Sequence, residues 1–170
     1  MESLLKTAII EAIMIENRSL KFYRAMSTKV DDIRCKDVLE RLARKEEEHL
    51  ESFCNLYPGN EDDLYHALVK NNIYDDPYYR SLLNSIHGNS TEIDILRIAL
   101  KEETACIECY SAYVETIREP AIRDIFVQNL EETRNHAEMI EEECERLIKP
   151  EGTRRTGAVP DSRWDHDYCE

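Results

Sequence analysis

The sequence predicts an all-α fold, a four-helix bundle with one long crossover that contains short helices. The 170 residues include only 4 Gly and 5 Pro, so few turns interrupt the regular elements. Charged residues make up 34% of the chain and alternate with apolar ones at the spacing of long amphipathic helices. The breaks between the four apolar patterns are short, long and short, which is the order expected of a bundle with one crossover.

The first two long helices form a predicted hairpin. Apolar residues such as Leu5 and Ile9 begin a helical pattern that runs over residues 3–28. The letters STKVDDI interrupt it, and a second helix is predicted over about 32–56. The letters YPGN at 57–60 then end that helix, because Pro and Gly together favour a turn.

Residues 57–90 are expected to form the crossover, with two short helices in it. In the second of these, Pro77 suits the first turn and Gly88 suits the C-terminal exit. Tyrosines are frequent in this region and are expected to pack on the outside of the bundle with their hydroxyls in water. They are Tyr57, Tyr65, Tyr74, Tyr78 and Tyr79.

The second half of the chain predicts another helical hairpin. Its first helix is predicted to start at Ser90 or Thr91 and to end near residue 118, and Pro120 marks the break before a helix that ends near residue 148. Residues 1–150 are therefore expected to form the bundle. Residues 151–170 lack periodicity and are expected to be a flexible or docking tail.

Composition limits the classes of partner. The net charge of −14 argues against nucleic acid and against anionic membrane surfaces, both of which attract basic proteins. No apolar run reaches the length of a membrane span, and the N-terminus lacks the pattern of a signal peptide. Several of the six cysteines lie among apolar residues in predicted helices, which favours reduced thiols and a cytoplasmic location.

The two hairpins repeat one another at a constant offset of 87 positions, without a gap. Matched positions carry the same chemical types within the same apolar framework, which predicts two similar hairpins related by a pseudo-twofold axis. The matched pairs with reactive side chains are Glu16 and Glu103, Tyr23 and Tyr110, and His49 and His136.

Two of the repeated carboxylates are predicted to point into the bundle. Glu16 lies on the same helix face as Ala12 and Leu20, and Glu103 occupies the equivalent position in the second hairpin. Buried carboxylates are costly unless a cation or strong donors meet them, so a multivalent metal ion is expected between them. Glu46 and His49 share one helix face and fit either this metal site or an acidic solvated surface.

With these residues the chain resembles the rubrerythrin and ferritin-like di-iron carboxylate family, over residues 4 to about 148. In that family one Glu from each of two helices joins a Glu-x-x-His from each of the other two. The resemblance implies a ferritin-like bundle in which Glu16, Glu103, Glu46 and His49 bind metal, and His136 with them. It also implies that two tyrosines, Tyr23 and Tyr110, hydrogen-bond the metal-binding carboxylates.

The chain departs from the family pattern at three points. Thr133 stands where the second Glu-x-x-His requires Glu, and Glu132 is expected to substitute with altered geometry. Cys106 stands where rubrerythrins carry a further carboxylate, three residues after Glu103. No rubredoxin-type pair of Cys-x-x-Cys motifs follows, so an external electron donor such as a rubredoxin-like protein is expected.

The resemblance implies an oxidoreductase of the peroxidase or ferroxidase type, with peroxide or O₂ as the oxidant. Di-iron is the expected cofactor, and manganese or zinc are alternatives that the same ligands accept. A homodimer is expected. Two other functions remain open. One is a degenerate bundle that acts as a scaffold or interaction module, for which Thr133 and Cys106 are the main support, and the other is a mononuclear metal-binding protein.

Overall fold

The computed structural model of the chain describes residues 2–57, 59, 64 and 77–149. This part of the chain contains five helices and no strand. The helices are α1 (Glu2–Ser27), α2 (Ile33–Leu56), α3 (Pro77–Asn84), α4 (Glu92–Thr116) and α5 (Pro120–Ile148).

The predicted bundle is confirmed by the way the helices pack. α1 packs mainly on α2 and α4 mainly on α5, so each predicted hairpin is a close helix pair. Contacts between α2 and α5 join the two pairs, whereas α1 and α4 touch at few places. The described residues therefore form a ferritin-like all-α bundle, with a wider seam between α1 and α4 than between the other neighbours.

The predicted starts of the later helices agree with the observed caps. Thr91 caps α4 in a capping box, in which its hydroxyl accepts from the Asp94 backbone N–H and the Asp94 carboxylate accepts from the Thr91 N–H. Pro120 is the first residue of α5, where its missing N–H leaves no donor unsatisfied. Asp32 caps α2 by accepting from the Cys35 N–H at 2.8 Å.

The crossover is described only from its second short helix onward. The first predicted short helix, Tyr65 and Tyr74 lie outside the described residues. α3 begins at Pro77, as predicted from the sequence. The prediction that all the crossover tyrosines lie on the outside is wrong for Tyr79, which is 1% exposed. α3 is amphipathic and buries one face on the bundle, so Tyr79 is inside while the adjacent Tyr78 is 45% exposed.

The hydrophobic core has two parts, and each long helix passes from one part to the other. One part contains Leu20 and Tyr23 of α1, and the other contains Ile9 and Ile13 of the same helix. Glu16 lies between these two segments. The same change occurs near Glu46 in α2, near Glu103 in α4 and between Leu130 and Ile140 in α5. The apolar packing is therefore interrupted at one level by a layer of buried polar side chains.

Within the described part of the chain, no helix combines the length and the apolar character that crossing a bilayer requires.

Candidate metal centre

Five ionisable side chains from all four long helices form the polar layer in the core. Each of these residues is at most 3% exposed. They are Glu16 of α1, Glu46 and His49 of α2, Glu103 of α4, and His136 of α5. The prediction that Glu16 and Glu103 point into the bundle agrees with their burial. Buried ionised groups of this number require compensation by one another or by a bound ion.

Glu46 lies between the two histidines. Its Oε1 is 2.9 Å from Nδ1 of His136, and its Oε2 is 3.5 Å from Nδ1 of His49. Glu16 and Glu103 flank this group symmetrically, since Oε2 of each lies 3.7 Å from Nδ1 of His49 and His136 respectively. The imidazole rings stack with their centroids 5.2 Å apart and their planes 16° from parallel. Glu46 is thus the one carboxylate of the layer seen to face both histidines.

The Nδ1 atoms of His49 and His136 indicate that the layer is suited to bind a metal ion. Both are buried, and neither has a hydrogen-bond partner, although carboxylate oxygens lie 2.9 to 3.7 Å away from them. A buried polar nitrogen without a partner costs free energy. One ligand atom each from Glu46, His49 and His136 lies within 4.8 Å of the others, which is the spacing of a potential metal site. Carboxylate oxygen and imidazole nitrogen form a donor set that suits iron, manganese or zinc, so the residues fit a metal ion.

Two buried tyrosines hold the flanking carboxylates. The Tyr23 hydroxyl of α1 donates to Oε1 of Glu103 on α4, and the Tyr110 hydroxyl of α4 donates to Oε1 of Glu16 on α1. Each of the two helices therefore donates one of these hydrogen bonds to the other across the seam between them. Because each tyrosine takes Oε1, Oε2 of each glutamate is left facing a histidine.

The charges of the layer shift the pKa values in both directions. Burial, followed by the negative charge of Glu46, raises the pKa of Glu16 and of Glu103. Burial alone would also raise the pKa of Glu46, but its interactions with Glu16, His136 and His49 outweigh burial and lower it. Burial opposes the charged form of the histidines, yet the facing carboxylates raise the pKa of His49 to about 11 and of His136 to about 9. The protein without metal therefore balances its buried carboxylates with protons.

Glu132 lies near the centre but on its outer side. Its Oε2 is 3.2 Å from Nε2 of His49, the ring nitrogen opposite the one that faces the carboxylates. The Glu132 side chain is 29% exposed, accepts from Nε2 of Gln128 and has Nζ of Lys45 at 3.7 Å. The structure therefore places Glu132, which was expected to substitute for the missing ligand, beside Nε2 of His49 and away from the Nδ1 atom that Glu16 and Glu46 face.

Thr133 and Asn129 occupy the layer where a further carboxylate was expected. Thr133 is buried, and its hydroxyl donates to the backbone carbonyl of Asn129 at 2.8 Å. Asn129 is also buried and donates to the Ile125 carbonyl, while its Oδ1 has no hydrogen-bond partner. Sequence reasoning missed Asn129, because its match in the first hairpin is the apolar Leu42. Its position one turn before Thr133 was the available signal.

Fold and site together define a ferritin-like bundle with a potential Glu/His metal site in its core. A family model described as Rubrerythrin matches residues 8–144, and the chain belongs to this family. The matched range contains every predicted site residue. The family relationship and the Glu/His cluster together support metal binding in the core.

Comparison with solved structures supports the fold. A hypothetical protein from Methanococcus jannaschii aligns with a TM-score of 0.66 at 17% sequence identity, covering 84% of this chain and 81% of that one. At this identity the similarity concerns the fold alone. A search of curated proteins found no match.

Proposed function

We propose that the chain binds two iron ions in the polar layer and that ferrous iron bound there is oxidised by peroxide or O₂. The observation that carries this proposal is the pair of buried Nδ1 atoms, on His49 and His136, which face three carboxylates without hydrogen-bond partners. Nitrogens placed in this way present lone pairs to a cation once they are deprotonated. Membership of the Rubrerythrin family supports the choice of iron.

Each residue of the layer has a proposed role. Glu16 and His49 would hold one ion, and Glu103 and His136 would hold the other. Glu46 would contribute an oxygen to each side, since its two oxygens face different histidines. Three carboxylates would offset most of the charge of two divalent ions in a core from which water is largely excluded.

The chemistry of the bound iron is electron transfer: two ferrous ions supply two electrons, which with two protons convert one hydrogen peroxide into two water molecules. The chain's own residues hold and shield the site. Tyr23 and Tyr110 fix the flanking carboxylates in place, and the two parts of the hydrophobic core close the layer from both ends. A separate rubredoxin-like carrier is the proposed source of electrons for a further cycle.

A site for a single metal ion is the second candidate, and Thr133 favours it. The Thr133 hydroxyl, which donates a hydrogen bond to a backbone carbonyl, stands in place of the carboxylate that would complete a second Glu-x-x-His. This replacement leaves the layer with three buried carboxylates beside two histidines.

Metal loading separates the two candidates. Apoprotein titrated anaerobically with Fe²⁺ is expected to bind about two ions per chain, the stoichiometry of di-iron bundles, and to develop an oxo-bridge absorption band with peroxide. One ion per chain without that band would support the single-metal site. Failure to bind Fe²⁺, Co²⁺ or Zn²⁺ would contradict both candidates and leave the scaffold function.

Glu132 is proposed to orient His49 for metal binding. An N–H at Nε2 that donates to Glu132 leaves Nδ1 as the coordinating nitrogen. The variant Glu132→Ala is therefore expected to weaken Co²⁺ binding by about 10- to 100-fold, as measured by competition with a chelator. Glu132→Gln keeps an acceptor oxygen and should retain part of the affinity.

The matched control for this prediction is Glu131→Ala, which changes an exposed glutamate next to it on α5. Equal affinities of Glu132→Ala and Glu131→Ala would show that Glu132 has no role in orienting the histidine.

A further inference from the structure

A cavity of about 320 Å³ lies in the wide seam between α1 and α4, with α3 at its side. A water molecule occupies about 30 Å³, so the cavity holds several molecules of that size. Its lining residues are Ile15, Arg18 and Ser19 of α1, Tyr78 of α3, and Glu102, Ala105 and Cys106 of α4.

The cavity follows the internal repeat of the chain. Ile15 and Glu102 are 87 positions apart, as are Arg18 and Ala105, and Ser19 and Cys106. The cavity is therefore bounded by equivalent positions of the two hairpins and lies on their pseudo-twofold axis. Its two principal walls are the helices that carry Glu16 and Glu103.

Two small side chains of the lining, Ser19 and Cys106, belong to the helix turns next to the polar layer. Ser19 comes three residues after Glu16, and Cys106 three residues after Glu103, so each lies one helical turn from a buried carboxylate. Burial raises the pKa of the Cys106 thiol, and the negative charges of Glu103 and Glu16 raise it further. The thiol thus lies within electrostatic reach of the layer while also lining the cavity.

The charged groups of the lining balance one another, and the rest of the lining is largely apolar. Arg18 contributes one positive group and Glu102 one negative group. Tyr78 connects them, because its hydroxyl donates to Glu102 at 2.7 Å and its ring centroid lies 5.1 Å from the Arg18 guanidinium carbon. A largely apolar lining without net charge favours a small uncharged molecule over a free cation or anion.

We propose that this cavity admits a small uncharged oxidant, such as hydrogen peroxide, to the metal centre and that Cys106 forms its inner gate. The proposal rests on the proposed oxidation of iron in the polar layer. To that proposed reaction it adds the path by which the oxidant reaches the iron and the residues that determine which oxidant enters.

The first experiment places a larger side chain at Cys106 to obstruct the inner end of the cavity. Cys106→Phe, loaded anaerobically with Fe²⁺, is expected to bind the same number of ions as the wild type. Its rate constant for oxidation by peroxide in stopped flow should fall by about tenfold or more. Thr104→Phe adds similar bulk to an exposed site two residues away and should react like the wild type. A parallel series with dissolved O₂ tests whether both oxidants use the path.

The second experiment needs no metal. In the apoprotein at alkaline pH, which ionises part of the thiol despite its raised pKa, the small uncharged reagent methyl methanethiosulfonate should modify Cys106 through the cavity, as followed by peptide mass spectrometry. Ala105→Phe fills the cavity and should slow this modification by about tenfold, the factor given by 1.4 kcal/mol of added barrier. Cys109 is half-buried on the same helix but does not line the cavity, so its labelling rate should not change.

The outcomes keep this proposal separate from the proposed function. Oxidation of Cys106→Phe at the wild-type rate, or equal slowing in Thr104→Phe, would overturn the path while leaving the iron chemistry intact. Slower iron loading with an unchanged oxidation rate would also overturn it, because the cavity would then admit the metal. Labelling of Cys106 that is unaffected by Ala105→Phe would overturn it even in a protein that binds no iron.

Discussion

Replacing Glu46 by glutamine is expected to abolish stable metal binding in the core. Glu46 is the carboxylate whose two oxygens face both histidines, at 2.9 and 3.5 Å, so the substitution weakens both sides of the centre at once. It also removes one of three buried negative charges that would neutralise the ions. Affinity for Co²⁺ should fall by more than about 100-fold. Substituting a residue that only hydrogen-bonds a metal ligand typically costs about 10- to 100-fold, and the loss of a ligand should cost more.

The measurement is a chelator competition titration, accompanied by circular dichroism of the apoprotein to show that the bundle is folded. Glu51→Gln is the matched control, because Glu51 lies on the same helix and is exposed. A Glu46→Gln protein that binds two ions with wild-type affinity would remove Glu46 from the proposed centre and with it the shared-carboxylate arrangement.

Replacing Thr133 by glutamate is expected to destabilise the apoprotein and to strengthen binding of a second ion. Thr133 is buried and is the repeat-related equivalent of Glu46. An added carboxylate there without a cation should cost several kcal/mol of unfolding free energy. With metal bound, the same carboxylate completes the second Glu-x-x-His, so the metal should restore much of the lost stability.

Thermal unfolding with and without Co²⁺ tests this prediction, and Thr133→Gln separates charge from size. The glutamine variant should also be destabilised, but metal should stabilise it less than the glutamate variant. If metal raises the midpoint of both variants equally, position 133 does not contribute a ligand and the centre is complete without it.

The order and approximate ends of the four long helices could be predicted from the sequence because they depend on local signals. Apolar periodicity set the four long helices, and Thr91 and Pro120 marked two of their starts within a residue. The inward direction of Glu16 and Glu103 followed from the same periodicity, because a residue in an apolar stripe shares the burial of its neighbours. The repeat at an offset of 87 positions also relates the two hairpins from sequence alone.

The parts that could not be predicted depend on contacts between helices. A helical wheel places Glu132 within about 40° of the inner face, but its rotamer takes the carboxylate to the outer nitrogen of His49, where Gln128 and Lys45 also meet it. Tyr79 shares one helix face with Leu82 and Leu83, but its burial depends on that face of α3 lying against the bundle, which the local pattern does not specify. Long side chains and docked short helices are therefore the features that the sequence alone left open.

The reciprocal hydrogen bonds from Tyr23 to Glu103 and from Tyr110 to Glu16 join α1 and α4 as a symmetric dimer interface joins two subunits, but within one polypeptide. In a true dimer of identical hairpins, every substitution would appear twice, once in each subunit. Covalent linkage removes that restriction, so Thr133 can differ from Glu46, and Glu132 from Lys45, at equivalent positions. The two halves are thus free to diverge, and the surroundings of His49 and His136 have already become inequivalent.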